Sequence, residues 1–176
     1  LLDEGMDSGP IIKQLEVAID PTDTAESLTA SLFTLGADLL TEHLNPWVSG
    51  SITAHAQNES LATITRKIEK ADGEVSWATE GLKLARQCRA FTPWPGLYTH
   101  WNNKLIKLLE VKVELDTPEI NDEPGRVIDL PNPDLPVGIV TGDGILVLKR
   151  LQIEGKPPTS IKQFLAGYPD FRGALL

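Results

Sequence analysis

Cysteine is nearly absent: Cys88 stands alone in 176 residues. A chain with one thiol has no internal disulfide framework, and this scarcity fits a reducing compartment. Long apolar runs are missing too. None approaches the roughly 20 residues that a membrane-spanning helix needs, and the first residues lack the basic-then-apolar pattern of a secretory signal. A cytoplasmic or organelle-interior location and no membrane partner are therefore expected. Histidine is scarce, and His43, His55 and His100 show no i, i+4 pairing and no cysteine partners, so no metal site is expected. Neither G-x-S-x-G nor a phosphate-cradling glycine loop occurs. Cys88 falls on the apolar side of an expected helix, the place of a packed small residue rather than of a thiolate nucleophile.

Positive charge is the remaining shortage: 16 Lys and Arg face 25 Asp and Glu, for a net charge of −9. The deficit is uneven. Residues 1–72 carry four basic against twelve acidic side chains, whereas residues 73–176 carry twelve against thirteen. This asymmetry implies two regions with different partners. Neither is basic in bulk, so nucleic-acid binding would need a local patch. Apolar residues, by contrast, make up 41% of the chain, enough to bury a real core.

IIKQLEVAI (11–19) reads as a strand, with Ile11, Leu15, Val17 and Ile19 on one alternating face, ending at the Asp20-Pro21 turn. Asp23 and Glu26 have the spacing of a helix cap. Ala25, Leu28, Leu32, Leu35 and Leu39 then form one helical stripe expected to stop before Pro46. Residues 49–60 have the small, polar composition of a linker, and a short helix carrying Leu61, Ile64 and Ile68 is expected up to Asp72-Gly73. A helix from 77 to about 90, capped by Ser76, is expected to bury Ala78, Leu82, Ala85 and Cys88. From Leu97 the period changes to two. Asn102-Asn103 suit a type I′ hairpin turn, and Leu109, Val111, Val113 and Leu115 mark a half-buried strand. GRVIDL (125–130) and residues 137–153 add further strands about the Gly142-Asp143-Gly144 turn. A last helix, Ser160 to Ala166, is capped by Thr159 or Ser160. Short antiparallel strands with a few helices point to a small β-barrel of the OB type.

Two features carry possible chemistry, each with a bland reading beside the sharper one. In the acidic loop at 3–9, Asp3-Glu4-Gly5 and Asp7-Ser8-Gly9 are turn sequences, but a carboxylate on a glycine loop can also orient a water or carry protons. Lys83, Arg86 and Arg89 recur along one face of the 77–90 helix. A solvated face is the default, and phosphate contact is the alternative. Trp77, Trp94 and Trp101 suit either base stacking or corner packing.

Asp7-Ser8-Gly9-Pro10-Ile11-Ile12, with Ile19 seven positions on, resembles the end of the signature of the folate-dependent formyltransferases, and DTAESLTASLFTLGADLL resembles their next helix. KIEKADGEVSW, CRAFTPWPG and TGDGILVLKRLQIEGKPP resemble the linker and C-terminal domain of the methionyl-tRNA formyltransferase family. The likeness runs in order from residue 2 almost to the end. It implies an α/β remnant, a strand plus helix from a Rossmann-like formyltransferase domain over 1–50. A linker over 51–72 and a small, open, OB-like β-barrel with short helices over 73–176 follow.

The family moves a formyl group from 10-formyltetrahydrofolate to the amino group of methionyl-initiator tRNA. By this resemblance Asp7 takes the place of the catalytic aspartate, with Gly5 and Gly9 supporting its loop. Its asparagine and histidine partners belong to an Asn-x-His-x-Ser-Leu-Leu-Pro segment that this sequence does not contain. The chain is thus expected to begin inside a catalytic domain and to be inactive alone. The folate co-substrate would be held mainly by the missing upstream part, without a metal. The barrel is expected to bind initiator tRNA through Arg86, Arg89, Lys104, Lys107, Lys149, Arg150 and Lys156. Residues 11–45, cut from their sheet, are expected to favour self-association. Two alternatives stay open: another folate-dependent formyltransferase or hydrolase, acting on a sugar nucleotide or on formyltetrahydrofolate, and a non-catalytic RNA-binding barrel.

Overall fold

The computed structural model describes residues 1–114 and 121–176, so Leu115 of the expected strand lies outside the described residues. The chain divides into two compact units, Leu1–Lys67 and Ile68–Leu176.

The first unit is built on one long helix, α1 (Ala25–Val48). Its cap lies one residue beyond the expected Asp23. The Thr24 side chain accepts from Ser27 N–H at 3.1 Å, and Ser27 Oγ accepts from Thr24 N–H at 3.0 Å. Asp23 instead accepts from Ser27 Oγ and from Asp20 N–H. The helix also runs past Pro46 rather than stopping before it. A proline in the last turn forfeits only one i→i−4 bond, and the end is closed by other means. Gly50, at φ +75°, donates to Trp47 O, and Ser51 donates to Pro46 O, a paired closure that depends on a left-handed residue.

The expected strand over 11–19 does not form. Among the described residues its one backbone pairing is at Ile11, which exchanges two bonds with His55 at 2.8 and 2.9 Å, and residues 12–20 have no regular structure. A strand is held by its neighbours, and one bridge is too little. Leu15 and Ile19 consequently stay exposed. The expected helix through Leu61, Ile64 and Ile68 is likewise replaced by two single 3-10 turns, Glu59–Leu61 and Lys70–Gly73. With Ile64 fully exposed, no burial rewards the helical stripe.

The second unit holds the core. Six antiparallel strands, β1 (Leu97–Trp101), β2 (Lys104–Glu114), β3 (Val127–Asp129), β4 (Val137–Val140), β5 (Ile145–Ile153) and β6 (Thr159–Ser160), form one sheet. Its order is β1-β2-β5-β4-β3, with β6 on β5. Among the described residues β1 and β3 share no pairing, so the sheet is open, and register shifts bend β2 around Glu110. The expected OB-type barrel is met as far as a small, open antiparallel sheet with short helices. Asn102 and Asn103, at φ 47° and 58°, make the β1–β2 turn in the left-handed conformation their sequence called for.

Helix α2 (Gly81–Ala90) starts later than expected. Trp77 and Ala78 precede it, and Leu84, Ala85 and Cys88, not Leu82, turn inward. Helix α3 (Ile161–Gly167) is capped by Ser160 through Gln163. The core gathers Ile106, Leu108, Leu148, Leu151, Ile161, Phe164 and Phe171. Edge-to-face contacts of Trp101 with Phe164, Tyr168 and Phe171 close one end of it.

Candidate functional site

The acidic loop separates its two aspartates by role. Asp3 is the turn former: its Oδ1 accepts from Gly5 N–H at 3.0 Å and from Ser8 Oγ at 2.8 Å. Asp7 is not. Among the described residues its exposed carboxylate has no hydrogen-bond partner, and its own backbone takes φ +55°. That conformation costs an L residue on the order of 1 kcal/mol. Gly9 is buried because the chain doubles back there, and a Cβ would fall on the Leu1 carbonyl oxygen; at Gly5 it would meet the Ser8 hydroxyl.

The loop is held from a distance in sequence. The Gln57 carboxamide donates both hydrogens, to Asp7 O at 2.7 Å and to Gly9 O at 2.8 Å. Both partners are pure acceptors, which fixes which end of the amide faces them. Two such bonds, each about 1 kcal/mol, outweigh the backbone strain at Asp7. Asp7, Gly9, Ile11, Lys13 and Gln57 line one shallow depression of about 360 Å³. Sequence reading missed Gln57, because a contact spanning about fifty positions leaves no local signal.

In the second unit the expected tRNA-binding residues fall in separate places. Arg86 is exposed on α2, and half-buried Arg89 donates to Ala85 O within its own helix at 3.2 Å. Lys104 and Lys107 lie on the hairpin end of β2. Lys107 faces Gln152 across the sheet, and Gln152 Nε2 donates to the carbonyl of Lys156, so that turn lies beside the same strand end. Lys149 is paired with Glu110, and Arg150 stands in register with the same glutamate. That acidic side chain therefore offsets Lys149.

Of Trp77, Trp94 and Trp101, the first is buried and the last packs in the aromatic cluster, while Trp94 is 57% exposed. The Trp77 indole N–H is buried without a partner among the described residues. Cys88 is packed as expected. Its thiol donates to Leu108 O at 3.3 Å, and burial pushes it up to about 11. Among the described residues no group of three or more His, Cys, Asp or Glu is placed to hold a metal.

A second missed residue is Asp143, legible only as part of a Gly-Asp-Gly turn. Its Oδ1 accepts from Gly81 N–H at 2.7 Å and so caps α2, where Glu80 makes no side-chain cap. The close approach of the two segments needs Gly142, whose N–H donates to Thr79 O and where a Cβ would fall on the Ala78 carbonyl.

The second unit is an open antiparallel sheet with short helices packed on it. The chain belongs to the formyl transferase C-terminal domain family, which matches residues 67–169. It is 36% identical over 158 residues to a methionyl-tRNA formyltransferase of Roseiflexus castenholzii, covering 90% of this chain and 49% of that protein. With a methionyl-tRNA formyltransferase of Chloroflexus aurantiacus it shares 36% identity over 167 residues, 95% of this chain and 53% of the relative. The chain thus spans about half the length of the curated relatives it matches. Among solved structures, HypX of Aquifex aeolicus superposes with a TM-score of 0.64 at 21% identity, over 96% of this chain and 30% of HypX. The HypX complex with tetrahydrofolic acid gives 0.60, over 93% and 28% respectively.

Proposed function

We propose that the chain is the C-terminal part of a methionyl-tRNA formyltransferase, acting in translation initiation. The longer protein moves a formyl group from 10-formyltetrahydrofolate to the amino group of methionyl-initiator tRNA. The observation that carries this reading is the match to relatives of that name along 90% of the chain.

The chemistry explains why a free carboxylate belongs on that loop. Attack by the amine on the formyl carbon leaves the nitrogen positive and the oxygen negative. The attacking nitrogen must then lose a proton, and the departing nitrogen must gain one. On this reading Asp7 steadies an imidazolium or orders a relaying water, and it is supported by the turn taking up Asp3 instead. The histidine and asparagine that complete such a set belong to the Asn-x-His-x-Ser-Leu-Leu-Pro segment, which these residues do not include. Turnover is therefore assigned to the longer protein, where the folate is held mainly by upstream residues. The second unit, read as an OB-like module, serves tRNA binding by phosphate contact. Lys104, Lys107 and Lys156 are its leading residues, joined by Arg86 and Arg89. Lys149 contributes less than Arg150, because Glu110 pairs with it.

Assay of the full-length protein with 10-formyltetrahydrofolate and charged initiator tRNA tests the reading. Formyl transfer is expected, with Asp7→Asn lowering kcat about a hundredfold or more; absence of transfer by the wild type overturns it. As a separate part of this proposal, the chain 1–176 self-associates through α1, which exposes Leu32, Phe33, Leu40 and Leu44 and buries no residue. Sedimentation velocity showing a monomer at all concentrations refutes that part.

A further inference from the structure

We propose that Gln57 is a positioning residue for Asp7, clamping the loop so that the carboxylate is presented in one place. The inference rests on the reading of Asp7 as the proton-handling group, and it concerns how that group is held. Three observations converge. Asp7 adopts a left-handed backbone at φ +55°, a conformation an aspartate leaves readily unless something holds it. The Gln57 carboxamide bridges Asp7 O and Gly9 O, at 2.7 and 2.8 Å, and thus spans the bend on both sides of Ser8. Two residues before Gln57, His55 exchanges two backbone bonds with Ile11, which anchors the clamp to the segment directly after the loop.

The loop's own side chains do not replace this clamp. Asp3 bonds Gly5 and Ser8, which shapes the first turn and leaves the carbonyls of Asp7 and Gly9 to Gln57. Gln57 is itself exposed, so its bonds do not serve to satisfy a buried amide. What they fix is the direction of the Asp7 Cα–Cβ bond. A reacting group misplaced by about 1 Å can lose about a hundredfold in rate without any change in substrate affinity.

The test compares Gln57→Met, which keeps length and removes both donors, with Gln57→Lys, whose ammonium can donate to both carbonyls. Asp7→Asn is the reference. In the full-length protein, Gln57→Met is expected to lower kcat at least tenfold while KM for tRNA and for formylfolate stays within twofold. Gln57→Lys is expected to recover most of that loss. In the chain 1–176, hydrogen exchange at Ile11 and His55, whose amides bond each other's carbonyls beside the clamp, is expected to quicken in Gln57→Met, with the melting temperature within about 1 °C of wild type. Wild-type kcat in Gln57→Met, with Asp7→Asn inactive, overturns the role of Gln57 and leaves that of Asp7 standing. A loss of kcat with unchanged exchange and no recovery by lysine also overturns it. Full activity in Asp7→Asn removes the catalytic reading first, and this inference with it.

Discussion

Replacing Asp143 by alanine removes the acceptor that closes the N-terminus of α2. The bond at stake runs from Gly81 N–H to Asp143 Oδ1 at 2.7 Å, and Glu80 offers no side-chain substitute. Loss of a helix N-cap acceptor costs about 1–2 kcal/mol. Asparagine keeps an oxygen at the same reach but gives up the charge facing the helix dipole, a loss of about 0.3–1 kcal/mol. Asp143→Ala is therefore expected to cost about twice as much as Asp143→Asn, and Glu80→Ala almost nothing. Urea unfolding of the chain, followed by far-ultraviolet circular dichroism, measures all three, and unchanged m-values would show that the same transition is compared. The reasoning fails if Asp143→Ala unfolds within about 0.5 kcal/mol of wild type, the usual range for an uninvolved surface site. It fails equally if Glu80→Ala is the costlier change. Gly142→Ala probes the same junction sterically, because its Cβ would fall on the Ala78 carbonyl.

Phe171→Ala empties a fully buried site between Trp101, at 5.3 Å between ring centroids, and Phe164, at 5.1 Å. A loss of about 3–5 kcal/mol is expected, read by denaturant unfolding. Cys88, its thiol raised by burial from 9.0 to about 11, gives a pH signature. Between these values the unfolded thiol releases a proton that the folded one keeps, so stability falls as pH rises, by up to about 1.4 kcal/mol per unit. Cys88→Ala should remove that slope, and an identical slope in the variant refutes the assignment. In fluorescence titrations with initiator tRNA at several salt concentrations, Lys107→Ala or Lys156→Ala should each flatten the slope of log Kd against log salt by about one unit. Lys149→Ala, already offset by Glu110, should change it little.

Local chemistry was readable wherever a few adjacent residues decide the outcome. Asn102-Asn103 dictated a left-handed turn, and Thr159-Ser160 marked the start of the last helix, which Ser160 caps, because each such motif satisfies its own backbone. Reading failed where burial decides. The alternation over 11–19 is a good strand pattern that finds one bridge instead of a sheet, and the stripe through Leu61 and Ile64 finds no surface to pack on. The start of α2 was misplaced for a related reason. Ser76 looks like a cap locally, but Trp77 is drawn into the core, and the cap that closes the helix comes from sixty-two residues away.

The candidate site divides in the same way. The resemblance of the Asp7 segment singled out one aspartate of the loop, and residue types alone marked the basic side chains. Only the folded chain distinguished Asp3, which forms the turn, from Asp7, whose carboxylate stays free. Only it brought Gln57 to the loop and Glu110 to Lys149. By itself the sequence determined the Asn102-Asn103 turn, the start of the last helix, the thiol's apolar setting and the family likeness, since these depend on residues a few positions apart. The tertiary structure decided which polar groups are spoken for and which are left over, because hydrogen-bond partners are chosen by proximity in space, over separations that no local pattern encodes.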